Sequence, residues 1–401
     1  MTVLRRQDCP VNTYYTINRI LLLCVGLWPY QNSTLGYIVI LTTTGSLVIG
    51  VVLQLAIFIT KEYNIDLLLH VLAYSMIWLG YTLKYNVLCL NIRGIRNPME
   101  QIHKNWHKLH NKREIEIIKK YSDIGRFITL TTTLFIYVSI LCFILSQFLS
   151  NYLLDIISSK NASRTRQLPI LIECFIDQQK HFFFILSIIC FGILNGLSTV
   201  VATETLNMSY TYHACGLFEI ASYRIEQAFL EGTVHNILSF TERNTIICQG
   251  IINGFNMYKT AIEFIEMLKK TYSWAYSLLL PFGILSLSIN LYRLFQLITS
   301  KEYIEMIMSF LFVVGHFWYM FFCNYLGQKV IDHSSDVFHR IYNVQWYVAP
   351  VKAQKLLMLM MQRSIRHCTI IVGGLFTSSF EGFATVVSTS VSYFAIIVSL
   401  F

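Results

Sequence analysis

Residues 127–154 read FITLTTTLFIYVSILCFILSQFLSNYLL, a run of 28 side chains without one Asp, Glu, Lys or Arg, bounded by Arg126 and Asp155. A helix needs about 20 such residues to cross roughly 30 Å of hydrocarbon. Apolar and polar residues do not alternate along it, so it reads as a spanning helix and not as a barrel strand. Working outward, charge-free runs also cover 20–60, 181–203, 271–292, 306–328 and 382–401, and 67–90 adds one broken only by Lys84. The sequence therefore predicts an all-α membrane protein with seven transmembrane helices, near 35–59, 66–90, 127–150, 181–203, 271–294, 303–326 and 373–400.

The composition agrees. Charged residues are 13% of the 401, against about 25% in a soluble domain. Apolar residues reach 55%, with 28 Phe, 24 Tyr and only 6 Pro. This excludes a disordered chain, a coiled coil, a disulfide-stapled secreted module and a soluble globular domain. The surplus of nine positive charges, 31 Lys and Arg against 22 Asp and Glu, raises the question of nucleic acid, and its distribution answers it. Segments 1–34, 91–126, 204–270 and 327–370 hold 23 Lys and Arg, and the segments on the opposite side of the spans hold 7. By the positive-inside rule the N-terminus is expected in the cytoplasm and the C-terminus outside. The charge is then a topology signal, and no nucleic-acid partner is expected.

Of the sequons at Asn32, Asn161 and Asn207, only Asn161 falls on an expected outer loop, which makes it the candidate glycan acceptor. Of ten cysteines only Cys174 is expected on an outer loop, and no C-x-x-C occurs, so the cysteines read as reduced apolar residues. The expected organisation is a cytoplasmic N-terminal segment with an interfacial helix (1–34), spans one to four (35–203), cytoplasmic helical extensions (204–270), spans five and six (271–326), a further cytoplasmic helix (327–370) and the last span (371–401). The stretch Ile20–Leu27, stopped by Trp28-Pro29, reads as a helix lying in the interface. Segment 91–126 is basic and periodic, and its face with Trp106, Leu109 and Ile117 is expected to meet anionic membrane lipid.

No catalytic constellation is present: there is no Gly-Lys phosphate loop, no H-E-x-x-H and no G-x-S-x-G, so an enzyme is not expected and no cofactor is implied. His103, His107 and His110 share one helix face but lack a carboxylate, and read as a solvated face; Asp332 and Asp336 read the same way. The last span differs. On a helical wheel Ser378, Glu381, Ser388, Thr389, Ser392, Ile396, Ser399 and Leu400 lie within about 60° of Thr385. A stripe of small polar residues with one carboxylate at its inner end and branched apolar residues at its outer end fits a water-lined cation path with a hydrophobic constriction. Helix packing through small residues uses the same Ser and Thr. A pore from one such helix per chain demands an oligomer.

The outer halves of the other spans offer an aromatic region suited to a small volatile or lipid-like ligand: His70, Tyr74 and Trp78; Phe143, Ser146 and Phe148; Phe183 and Phe184; Tyr303 and Phe310. Core or lipid-facing aromatics use the same residue types.

The chain resembles the insect odorant receptors, of the divergent odour-tuning, hymenopteran kind. The residues that carry the resemblance are YTINRILLLCVGLWP (15–29), His213-Ala-Cys-Gly-Leu-Phe with Tyr223-Arg224, Gly327 to Ser334, Tyr342-Asn-Val-Gln-Trp-Tyr, KLLMLMMQRS (355–364) and Ser392-Tyr393-Phe394. The resemblance implies an odorant-binding subunit of a tetrameric, ligand-gated, non-selective cation channel, built with the family's shared co-receptor in the plasma membrane of olfactory dendrites. It implies odorant binding among helices two to six, and subunit anchoring through the cytoplasmic parts, with His213, Gly216, Arg224, Tyr342, Trp346 and Tyr347 as candidates. Aligned on the Ser-Tyr-Phe tail, Ile396 and Leu400 fall at the family's hydrophobic gate and Ser399 at the adjacent polar lining. A gustatory-type receptor channel of the same superfamily and a G-protein-coupled receptor are the alternatives, the latter requiring an outside N-terminus.

Overall fold

The computed structural model describes residues 13–31, 33–109, 111–157, 168–234, 240–300, 303–374 and 376–400, with the side chains of 150–157, 232–234, 303 and 304 outside that description. Asn32, Asn161 and His110 lie outside the described residues, as does the side chain of Tyr303. The elements are α1 Thr16–Cys24, α2 Thr34–Leu55, α3 Ile65–Leu90, α4 Ile92–His107, α5 Lys112–Ile157, α6 Phe182–Val234, α7 Phe240–Ser300, α8 Tyr303–Asn343, α9 Val351–Ile365, the strand pair β1 Ile371–Val372 and β2 Phe376–Thr377, and α10 Phe380–Leu400. Seven of these helices are long and apolar enough to cross a membrane: α2, α3, α5, α6, α7, α8 and α10.

Helix length dictates the shape. At 1.5 Å per residue, the 53 residues of α6 rise about 80 Å and the 61 of α7 about 90 Å. Both outrun the roughly 30 Å of hydrocarbon about threefold. Their extensions, with α4, α9 and parts of α5 and α8, make a helical subdomain continuous with the spans. α6 is its axis, for every residue from 201 to 218 is buried. On the flanks the apolar period shows at once. α5 leaves Phe127, Leu134, Leu141, Leu145 and Leu149 exposed along one side, the face a lipid tail would cover, while Ile118 and Thr129 turn inward.

α1 packs on the bundle by one face: Asn18, Leu21 and Leu22 are buried with Val25 and Leu27, and Asn18 Nδ2 donates to Thr205 Oγ1 of α6 at 3.1 Å. Gly26, at φ 75°, makes the turn that follows, a conformation with no steric cost for glycine. In α4, Ile95, Met99, Ile102 and Trp106 recur at helical spacing and all point into the core. Trp106 and Leu109 therefore pack against the bundle and not against lipid, leaving Lys104 and Lys108 exposed. The last span begins at Phe380 and not at 373, because Ile371–Thr377 first fold back as an antiparallel pair, Ile371 opposite Thr377. Gly373 and Gly374, at φ 60° and 76°, turn the hairpin.

Candidate functional site

α10 is held on one face only. Gly382, Val386 and Ser390 are its buried residues, Val386 packing with Leu287 of α7 and with Val313 and Met320 of α8. Ser288 of α7 donates to the Ser390 carbonyl at 2.9 Å. The face beside it carries the polar stripe. Glu381, Thr385, Ser388, Ser392, Ile396, Ser399 and Leu400 are exposed and Thr389 is half-buried. Apart from half-buried Thr389 the stripe is exposed among the described residues, so small-residue packing inside one subunit does not explain it. Its hydroxyls donate to carbonyls one turn back: Thr385 to Glu381 at 2.9 Å, Thr389 to Thr385 at 2.7 Å, Ser392 to Ser388 at 2.9 Å and Ser399 to Ile396 at 2.8 Å. Ser378 does not belong to the stripe. It is buried ahead of the helix, where its Oγ donates to the Cys323 carbonyl of α8 at 2.8 Å.

The aromatic candidates divide. Half-buried His70 and Tyr74 face each other at 5.6 Å between ring centroids, and Tyr74 meets Phe312 of α8 edge-on at 5.5 Å. Trp78 is buried with Ile170, Ile172, Ile185 and Ile189. Phe148 stacks on Phe183 at 6.1 Å, with Phe143 half-buried nearby on α5. Ser146 is exposed and donates to the Phe143 carbonyl. Phe184 and Phe310 are 65% and 54% exposed on the bundle's outside, which removes them from an enclosed site. Beside Trp78 lies a cavity lined by Ser46, Gly50, Gln54 and Ile189, whose free volume of about 10 Å³ is the room of one water. Gln54 is 1% exposed and its Oε1 has no hydrogen-bond partner among the described residues. Sequence reasoning passed over Gln54 because a lone amide inside the span expected at 35–59 carries no pattern.

The candidate assembly residues also divide. His213 is buried, 3.4 Å from Asn105 Nδ2 and edge-on to Phe264. Gly216 lets α5 approach α6, since a Cβ there would stand 2.7 Å from Ile118 Cδ1. Arg224 grips Glu114 of α5 with two nitrogens, at 2.7 and 2.9 Å. The partners of these three lie in the same chain. Tyr342 and Tyr347 are exposed, and Trp346 is half-buried against the core. His103 and His107 do share an exposed face, their Nε2 atoms 3.1 Å apart; partial burial and the neighbouring imidazole lower the pKa of His103.

One cluster escaped the sequence reading altogether. Lys84 of α3 and Glu204 of α6, each about 6% exposed, form a buried ion pair. Tyr276 of α7 donates to both Glu204 oxygens, at 2.9 and 2.7 Å, and accepts from Asn207 Nδ2 at 3.3 Å. Tyr319 of α8 donates to Glu204 Oε1 at 3.1 Å and accepts from Lys84 at 3.3 Å. The signal was present as Lys84, the single charge interrupting a span, but its partner is 120 residues away.

Fold and site define a class: a seven-helix membrane protein with long helices running into a helical subdomain and a polar-striped last helix. Residues 64–391 match the family profile described as 7tm Odorant receptor, and the chain belongs to that family. It is similar in fold to olfactory receptor OR5 of the insect Machilis hrabei. The eugenol complex of that receptor superposes with a TM-score of 0.74 at 13% identity, covering 97% of this chain and 98% of the other. A second structure of the same receptor gives 0.69 at 13% identity, covering 98% and 99%. A comparison with curated proteins found no match.

Proposed function

We propose that this odorant receptor is the odorant-binding subunit of a ligand-gated, non-selective cation channel, assembled as a heterotetramer with the family's co-receptor in the plasma membrane of olfactory neurons. The N-terminus lies in the cytoplasm and α10 lines the pore. The observation that carries the reading is the outward stripe of α10. A hydroxyl has one proton and two lone pairs. In Thr385, Thr389, Ser392 and Ser399 the proton is committed to the helix's own carbonyls, which leaves lone pairs directed outward. A row of acceptors without competing donors is the lining that a partly dehydrated cation needs. Ile396 and Leu400, 52% and 68% exposed on the same side, form the constriction. Symmetric assembly brings the stripes of neighbouring subunits around one axis.

The ligand enters around His70, Tyr74, Trp78, Phe143, Phe148 and Phe183. The similar receptor of Machilis hrabei holds eugenol, so a small volatile of that size is the expected class. In cells expressing this chain and a co-receptor, a volatile panel evokes cation current that persists with G-protein signalling blocked. Ile396→Lys alters that current's cation permeation while surface delivery stays intact. A current indifferent to Ile396→Lys removes α10 from the pore. Epitope tags at both termini test the orientation; an outside N-terminus overturns it.

A further inference from the structure

We infer that the buried Lys84–Glu204 pair, with Tyr276 and Tyr319, is the element that couples the ligand region to the pore helix, a set of positioning residues that holds the receptor in its resting arrangement. The inference rests on the channel reading above and adds the route by which binding reaches α10. Ionisable groups inside a bundle of membrane helices are costly and mark function by default. A neutral, well-packed replacement of such a pair is often no less stable, so stability alone gives no reason to keep it.

Its position supplies the reason. The pair and its two tyrosines tie together α3, α6, α7 and α8 by hydrogen bonds. On the ligand side, Lys84 stands six residues from Trp78 on the same helix, about 9 Å along the axis. On the pore side, Tyr319 stands one turn before Cys323 on α8. The Cys323 carbonyl and the Asn324 side chain then receive Ser378 Oγ and the Ser379 N–H, at 2.8 and 3.2 Å. Ser379 in turn caps α10 by accepting from the Gly382 N–H at 3.0 Å. Hydrogen bonds thus join α3 to α8 at Tyr319, and the next turn of α8 is hydrogen-bonded to the base of α10. A shift of α3 that enlarges the space at Trp78 strains the pair, and a shift of α8 carries the base of α10 with it.

The arrangement that the network holds is closed at the Trp78 cavity, which has room for one water. A ligand must bind another arrangement more tightly, or it shifts nothing. Weakening the network then raises the share of the binding-competent state, and with it the apparent affinity and the ligand-free open state.

The test compares the wild-type chain with three variants, each expressed with the co-receptor: the neutral pair K84M/E204Q, the reversed pair K84E/E204K, and Tyr319→Phe, which keeps the ion pair and removes one hydroxyl. The probe is the volatile that best activates the wild-type chain in a panel including eugenol. Surface amount, ligand-free current per surface receptor and half-maximal concentration are measured. The neutral pair is expected to raise ligand-free current and lower the half-maximal concentration by about fivefold or more, the lower bound of allosteric coupling. Tyr319→Phe moves both in the same direction by less, and the reversed pair returns toward wild type. Reduced surface amount with unchanged current per receptor and unchanged half-maximal concentration, in Tyr319→Phe or the neutral pair, makes the cluster structural only and overturns the inference. A wild-type chain that yields no current overturns the channel reading instead.

Discussion

Gly192→Ala puts a methyl group where the indole of Trp78 lies. A Cβ at 192 would stand 2.2 Å from Trp78 Cη2 and 2.5 Å from Cζ3, and one at Gly50 of α2 would stand 2.0 Å from Cζ3. Carbon atoms rest at about 3.5–4.0 Å, so either methyl demands about 1.5 Å of displacement. The ring has no room to yield. The two glycines belong to different helices, α2 and α6, and Ile185 and Ile189 close the site, leaving Trp78 5% exposed. Overpacking of this kind costs about 1–3 kcal/mol. Alanine recovers about 0.5–1 kcal/mol over glycine in a helix. The expected net loss is about 1–2 kcal/mol for Gly192→Ala. Trp78→Phe removes the ring atoms that the methyl strikes, so W78F/G192A should be less destabilised than the sum of its parts by about 1 kcal/mol. Thermal unfolding of the detergent-purified protein, followed by a thiol-reactive dye reporting on buried Cys190, Cys215 and Cys368, measures all four corners of this cycle. Additive single effects, or a Gly192→Ala protein that unfolds with the wild type, would refute the packing of Trp78 between α2 and α6.

The same assay reads two other sites. Arg224→Ala leaves Glu114 buried without its partner and is expected to cost about 3–5 kcal/mol, with Arg224→Lys intermediate because it keeps the charge and loses the fork. Gly327→Ala sets a Cβ 2.1 Å from the Ser378 carbonyl oxygen, a backbone atom that cannot rotate away, and should cost about 3 kcal/mol, the upper end of overpacking. Treatment of cell-expressed receptor with an N-glycosidase is expected to increase its gel mobility. Asn161→Gln abolishes that shift, and Asn207→Gln, at a buried position inside α6, leaves it intact.

How much of this was legible in the sequence follows from which interactions are local. A spanning helix satisfies its backbone within itself, so charge-free runs were enough to count seven. The extensions of α6 and α7 were legible for the same reason, as periodic apolar residues continuing past the spans. The stripe of α10 needed only the 100° step per residue, and the single error in it, Ser378, sits where a hairpin replaces the first turns of helix. Faces were harder. Trp106 and Leu109 have the periodicity of an amphipathic helix whether the apolar side meets lipid or core, and only the helix seated opposite decides between the two. Aromatic residues posed the same ambiguity from the other side: Phe184 and Trp78 are alike in composition, yet one looks outward and the other is wedged between two glycines 142 positions apart in the chain, Gly50 and Gly192. The ion pair is the extreme case. Lys84 and Glu204 each register in a sequence as a defect, one interrupting a span and the other ending one. Their meaning arises only when α3 and α6 pack side by side, because a charge that costs energy alone becomes, when paired and ringed by two tyrosines, a joint among four helices.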